Sequence, residues 1–392
     1  MSSSSPAVHP PAAPALPPTG TPPSRLVALD VFRGLTVMAM ILVNNPGDWG
    51  HIYAPLAHAQ WHGCTPTDLI FPFFLFIVGV SIVYALDSAR RTAPHGPLLR
   101  RIARRAAVLF GLGLFGSLFL DWDLSTVRIP GVLARIALVF LGCGVLFVKT
   151  TWRQQAILLA VLLVGYNVLL QLVPVPGFGP ANLEPATNLG AWLDRLLLGE
   201  AHLWKESKTW DPEGVLGTLP AVGTGIMGLL VGQGLRRTSL EAAGRVAWLF
   251  VAGGAALLLG LVWNSWFPIN KSLWTSSYVL YTGGIATMSL AALYWLCDVQ
   301  GYRRGIKPFV VFGVNAITVF FLSGLIARGL NRWQVTGAGG SPTGLKQWLY
   351  ETLFVPVFPD PYLASLAGAL ACVLIWLGVL WVMYERRIII KV

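Results

Sequence analysis

Hydrophobic residues in this chain gather into long continuous stretches instead of the one-sided stripes of soluble helices. The first five run from Leu26 to Val43, Leu69 to Leu86, Ala106 to Leu120, Val132 to Val148 and Ala156 to Val173. Five more cover Val215 to Leu235, Val246 to Phe267, Thr275 to Cys297, Phe309 to Ala327 and Tyr362 to Tyr384. Each approaches the ~20 apolar residues that carry an α-helix across a ~30 Å hydrocarbon core. Inside that core each backbone amide must be bonded within its own segment. The pattern therefore predicts an all-α polytopic membrane protein, a bundle of about ten transmembrane helices with eleven as the upper count.

Ten crossings return the chain to the side on which it started. On that alternation 18 of the 28 Lys and Arg residues fall on one side, among them Arg90, Arg91, Arg100, Arg101, Arg104, Arg105, Arg236, Arg237, Arg303 and Arg304. Excess Lys and Arg mark cytoplasmic loops, so both termini are expected in the cytoplasm. Composition agrees: 55% of the residues are hydrophobic and 11% charged, against roughly a quarter charged in soluble proteins, which excludes a water-soluble globule. The net charge of +11 lies in short loops beside helices, not in one stripe, so no nucleic-acid partner is expected. Residues 1–24 contain eight prolines and no Lys or Arg, and read as a disordered tail before a single membrane domain from 25 to 392. Cys64, Cys143, Cys297 and Cys372 have no paired spacing, so neither a disulfide framework nor a zinc site is expected.

Three long segments lie on the far side, from Asn44 to Asp68, Pro174 to Gly214 and Gly329 to Pro361, and Gly344 to Phe354 within the last reads as an amphipathic brace on the membrane surface. Charged groups inside spans are costly and point to function. Asp30 and Arg33 share a helix face three residues apart, either as a helix-locking ion pair or as a holder of an anionic group such as phosphate. Arg135 has no acid within one turn and needs a partner from elsewhere. The densest polar cluster is Asn44, Asn45, Asp48, His51, His58, His62 and Asp68. Its intervals match no compact metal-ligand motif, so no metal is expected. A neutral imidazole beside the membrane can act as base or as acyl carrier, and Asn44 can donate to a developing oxyanion. Asp68 reads first as a helix cap and second as the group that orients a histidine. In WDPEGVLGTL, Asp211 reads as the cap of a helix start, and Lys271 and Trp274 read as interfacial anchors. Asn315 and Ser323 fit either interhelical bonds or a cavity wall. From these residues alone, an enzyme and a secondary transporter or flippase for a glycan or lipid precursor both stand.

The blocks LDVFRGLTVMAMILVNNPG, HAQWHGCTPTDLIFPFFLFIVGVS, GVLARIAL, DPEGVLGTL, FPINKSLWTSSYV and GVNAITVF occur in that order. From Arg25 onward the chain resembles the heparan-α-glucosaminide N-acetyltransferase family of transmembrane acyltransferases, in its bacterial form. The resemblance implies a multi-pass enzyme of the bacterial inner membrane that moves acetyl from cytosolic acetyl-CoA to an amino sugar or glycan outside. It places the family histidine on His58 and the asparagine facing the thioester on Asn44. Arg33 and Arg135 match motif arginines, for CoA binding or for helix packing around the cofactor, with Asp30 beside Arg33. On this reading Arg33 and His58 mark the two ends of one cavity. The lipid bilayer and the sugar acceptor are the expected partners, a homodimer is compatible, and the identity of the acceptor stays open.

Overall fold

The computed structural model describes residues 26–237, 239–337 and 341–390, so the expected disordered tail of residues 1–24 lies outside the described residues. Thirteen α-helices are present among the described residues. They are α1 (Val27–Asn44), α2 (Ile70–Thr92), α3 (His95–Leu118), α4 (Val132–Lys149), α5 (Trp152–Leu172), α6 (Leu189–Leu198) and α7 (Thr218–Leu235). Then come α8 (Ala242–Trp263), α9 (Ser276–Leu293), α10 (Lys307–Val314), α11 (Ala316–Arg332), α12 (Leu345–Leu353) and α13 (Pro361–Glu385). By length and composition eight are able to cross a membrane: α1, α2 with its leading turn, α4, α5, α7, α8, α9 with its π-helical end, and α13. The pair α10 and α11, bent by 76° at Asn315, has the length and composition of a ninth if the two are counted as one broken span. The remaining apolar stretch lies in α3, which begins well before Ala106, at His95, and carries four arginines in its first half.

Cross-bundle bonds separate into two ends and reproduce the expected alternation. At one end Lys271 pairs with Asp68, Arg128 with Asp211, and the Gly47 amide donates to the Ser365 carbonyl. At the other end Arg236 pairs with Asp87, Lys307 with Glu385, and the Val27 and Ala28 amides donate to the Asp298 carboxylate. Asn315, at the bend, donates to the Ile388 carbonyl and accepts from the Ile390 amide, which fastens the last described residues to the same end as Val27. Ser323 bonds within its own helix, to the Phe320 carbonyl.

The inner helices pack through small residues, because between membrane helices close van der Waals approach replaces the hydrophobic drive available in water. A Cβ on Gly228 of α7 would overlap the Phe76 carbonyl of α2, and one on Gly79 would overlap the Gly225 carbonyl in return. Gly34 of α1 meets the Phe309 carbonyl of α10 in the same way. The outer faces of α5, α8 and α13 instead present exposed Ile157, Val161, Trp248, Val251, Leu374 and Ile375, as lipid-facing surfaces do. The far-side segments hold α6, α12 and a two-stranded ribbon, Gln334–Thr336 against Pro342–Gly344. The expected brace is α12, whose buried Tyr350 lies against Gly47. WDPEG does not start a helix: α7 opens at Thr218, and Asp211 turns to Arg128 and the Glu213 amide.

Replacing Gly228 by Leu is expected to wedge α2 from α7, costing about 1–3 kcal/mol or more. Gly254→Ala on α8, where an added Cβ meets nothing, is expected to be neutral or to stabilise by about 0.5–1 kcal/mol. Thermal denaturation of detergent-purified protein, followed by size-exclusion recovery, checks both, and equal melting for the two variants would contradict the packing described.

Candidate active site

The chain leaves α1 at Asn44 and returns to the bundle at Asp68, and the loop between is shaped by a few local bonds. Thr65 caps the short 3-10 turn Pro66–Leu69 that leads into α2, and Asp68 at its third position completes a capping box. One oxygen of Asp68, Oδ2, accepts from the Thr65 amide at 3.1 Å, the Thr65 hydroxyl at 3.1 Å and the Ala59 amide at 3.0 Å. The other, Oδ1, lies 2.7 Å from Nδ1 of His58. The cap is thus Thr65 and not Asp68 as read from the sequence; Asp68 supplies the reciprocal half of the capping box with one oxygen and meets His58 with the other. The Tyr278 hydroxyl donates to the Asp68 carbonyl at 2.6 Å and ties the turn to α9.

A carboxylate can only accept, so the His58 proton sits on Nδ1 and the Nε2 lone pair is left as the base or nucleophile. The carboxylate is buried, with 1% of its side chain exposed, while half of the His58 side chain is open. His58 and Asn44 line one cavity of about 170 Å³ together with Thr67, Glu213 and Lys271. Its floor is apolar, with Met40, Ile70, Phe71, Phe74, Ile136 and Phe320 from α1, α2, α4 and α11. That volume is below the about 300–1,000 Å³ of pockets for drug-sized ligands, so it has room for a small group and not for a nucleotide.

Two groups at this cavity were not legible as site residues. Lys271, read from the sequence as an interfacial anchor, is turned inward, with Nζ 3.0 Å from His58 Nδ1, 3.3 Å from Nε2 and 3.4 Å from Asp68 Oδ1. Burial pushes its ammonium below the ordinary lysine range, opposed by Asp68 and Glu213. Glu213 is held by Arg128, whose guanidinium reaches Glu213 Oε2 at 2.6 Å and both oxygens of Asp211 at 2.6 and 2.8 Å. Burial works against the Arg128 charge, but these bonds keep its pKa above the ordinary value. Burial, reinforced by Asp68, pushes the neighbouring Cys64 thiol up to about 12, which leaves it a poor nucleophile near neutral pH.

The other sequence-selected residues lie away from this cavity. His51 bonds Asp48 at 2.6 Å, His62 meets the Asn270 amide at 3.3 Å, and Asn45 donates to the Ile41 carbonyl. Arg33 reaches Asp30 at 3.3 Å, the Ser81 hydroxyl at 2.9 Å and the Gly313 carbonyl at 3.4 Å. It sits seven residues along α1 from Met40, about 10 Å at the rise of a helix, and does not line the His58 cavity. Arg135 is fully buried; it donates to the Gly214 carbonyl at 2.9 Å and stacks over the Trp274 ring at 5.1 Å. It does not line the His58 cavity. Trp274 is likewise no interfacial anchor, being 1% exposed beneath that guanidinium. Among the described residues no three His, Cys, Asp or Glu side chains are grouped to hold a metal ion.

Residues 25–192 match the family described as heparan-alpha-glucosaminide N-acetyltransferase, catalytic. The chain is similar to the human protein named heparan-alpha-glucosaminide N-acetyltransferase, 32% identical over 76% of this chain and 52% of the relative. The mouse protein of that name is 31% identical over 76% of this chain and 53% of its own length. The chain spans about half the length of these curated relatives. With His58 and Asn44 on one cavity and Asp68 bonded to His58, this multi-pass membrane protein belongs, across residues 25–192, to the heparan-alpha-glucosaminide N-acetyltransferase catalytic-domain family.

Proposed function

We propose that the protein transfers acetyl from acetyl-CoA on the cytoplasmic side of a bacterial inner membrane to the amine of an amino sugar or glycan on the other side. The observation that carries the reading is the shared cavity: His58, fixed through Nδ1 by Asp68, faces the same space as Asn44. The basic end of the bundle, with Arg90, Arg100, Arg236 and Arg303, is then cytoplasmic and the His58 end is outside.

Acetyl-CoA supplies an activated thioester carbonyl. Nε2 of His58 takes the proton of the acceptor amine as its nitrogen bonds to that carbonyl carbon, the carbon–sulfur bond breaks, and sulfur leaves as the thiol after protonation. Alternatively Nε2 itself bonds the acetyl carbon as the carbon–sulfur bond breaks and the thiolate leaves, and the acceptor amine then takes the acetyl from Nε2 as that bond breaks, which gives ping-pong kinetics. In both routes the amide of Asn44 is the donor for charge developing on the carbonyl oxygen. The apolar floor excludes water that would hydrolyse the thioester. Because the cavity holds only the reacting head, the phosphates of the donor require basic groups elsewhere, and Arg33, beside Asp30, is our candidate at the opposite end of α1. Arg135 supports the site by packing.

His58→Ala is expected to lower transfer by about 10²–10⁴ and Asn44→Ala by about 10²–10³, each with acetyl-CoA binding retained in a thermal-shift titration. Wild-type turnover by His58→Ala would refute the assignment. Arg33→Ala is expected to weaken acetyl-CoA binding about tenfold, the scale of one hydrogen bond to a charged group. Unchanged affinity in a binding titration would leave Arg33 with a structural role alone.

A further inference from the structure

Lys271 occupies an unusual place against His58. Its ammonium is almost equidistant from the two ring nitrogens, at 3.0 and 3.3 Å. The in-plane lone-pair axes of those nitrogens point away from each other, so one ammonium cannot lie on both. The Nδ1 axis is already taken by Asp68 Oδ1 at 2.7 Å. Lys271 therefore acts on the imidazole as a charge held beside the ring, tethered by its ion pair with Asp68 at 3.4 Å.

Two opposite unit charges thus bear on one imidazole. The buried carboxylate of Asp68 favours the imidazolium, which would have no lone pair and no use as a base or nucleophile. The ammonium of Lys271 disfavours it. We propose that Lys271 is a positioning residue that keeps His58 in its neutral, reactive form by offsetting Asp68, whose carboxylate the loop cannot do without. The inference rests on the reading of His58 as the reactive group. The other groups that bear on the ring are few. Glu213, from the segment before α7, lines the cavity with its charge shared with Arg128. Cys64 lies close enough to couple to Asp68 and Lys271, and Tyr278 on α9 donates to the Asp68 carbonyl. The helices α1, α4 and α11 present only neutral side chains to this cavity.

The test compares wild type, Lys271→Met and Lys271→Arg in detergent by the pH dependence of kcat/KM with acetyl-CoA and glucosamine. A second readout is the rate at which diethyl pyrocarbonate modifies His58, followed against pH by peptide mass spectrometry, which needs no turnover. With the ammonium removed and Asp68 unopposed, the acid limb of both profiles is expected to move to higher pH by about 1–3 units. The guanidinium of Lys271→Arg is expected to hold the wild-type midpoint whatever its maximal rate. Lys271→Gln, which keeps a donor for Asp68, replaces Lys271→Met if the latter does not fold. A rate loss in the neutral variants with both midpoints unmoved would make Lys271 merely structural and overturn the proposal. Failure of the parent reading looks different: His58→Ala would keep its rate, whereas the modification profile would still report the effect of Lys271.

Discussion

The His58 end of the molecule depends on one buried carboxylate. Asp68 closes the turn into α2 through the Thr65 and Ala59 amides, holds His58 through its other oxygen and pairs with Lys271 from the loop before α9. A carboxylate taken out of water is tolerated only when its lone pairs are filled, and removing a partner of a buried charge costs about 3–5 kcal/mol. The fold is thus obliged to bring a histidine, a lysine and two loop amides to the same point. The His58 ring is oriented by the same contacts that close the loop, so site geometry and loop structure cannot be varied independently.

The bundle beneath supplies rigidity and dryness. Glycine contacts between α2 and α7 and between α1 and α10 fix helix separations by backbone contact, leaving little freedom for the cavity walls contributed by α1 and α2. Arg135, packed over Trp274 and bonded to the Gly214 carbonyl, ties α4 to the segment that carries Glu213 and Asp211. Two arginines from the region around α4, Arg128 and Arg135, therefore position the far-side loop after α6, one by ion pairs and one by packing.

Much of this was legible in the sequence. Continuous apolar runs locate membrane helices because lipid demands them, and each expected stretch falls on one helix, including α3, whose arginines hide its length, except Phe309 to Ala327, which breaks into α10 and α11 at Asn315. Asn44 and Asp68 stood out because polar residues crowd between two apolar runs, while the choice of His58 over His51 and His62 came from the family resemblance. What escaped was pairing over distance. Lys271 lies 213 residues from His58 in the chain, and its neighbours Ser272, Leu273 and Trp274 give it the local look of an interfacial anchor. Arg128 and Asp211, 83 residues apart, failed for the same reason: Asp211 before Pro212 mimics a helix cap, and only tertiary structure turns it toward an arginine. Local spacing reports periodicity and caps, whereas an ion pair between loops leaves no periodic trace.

The central claim is that acetyl crosses from one end of the bundle to the other at the His58 cavity. It is tested most directly in sealed proteoliposomes of uniform orientation, with labelled acetyl-CoA confined to the side of Arg236 and Arg303 and glucosamine confined to the side of His58. Labelled N-acetylglucosamine accumulating on the His58 side, and absent when donor and acceptor are exchanged, is the predicted result. Product formed only when donor and acceptor share one compartment would contradict the account.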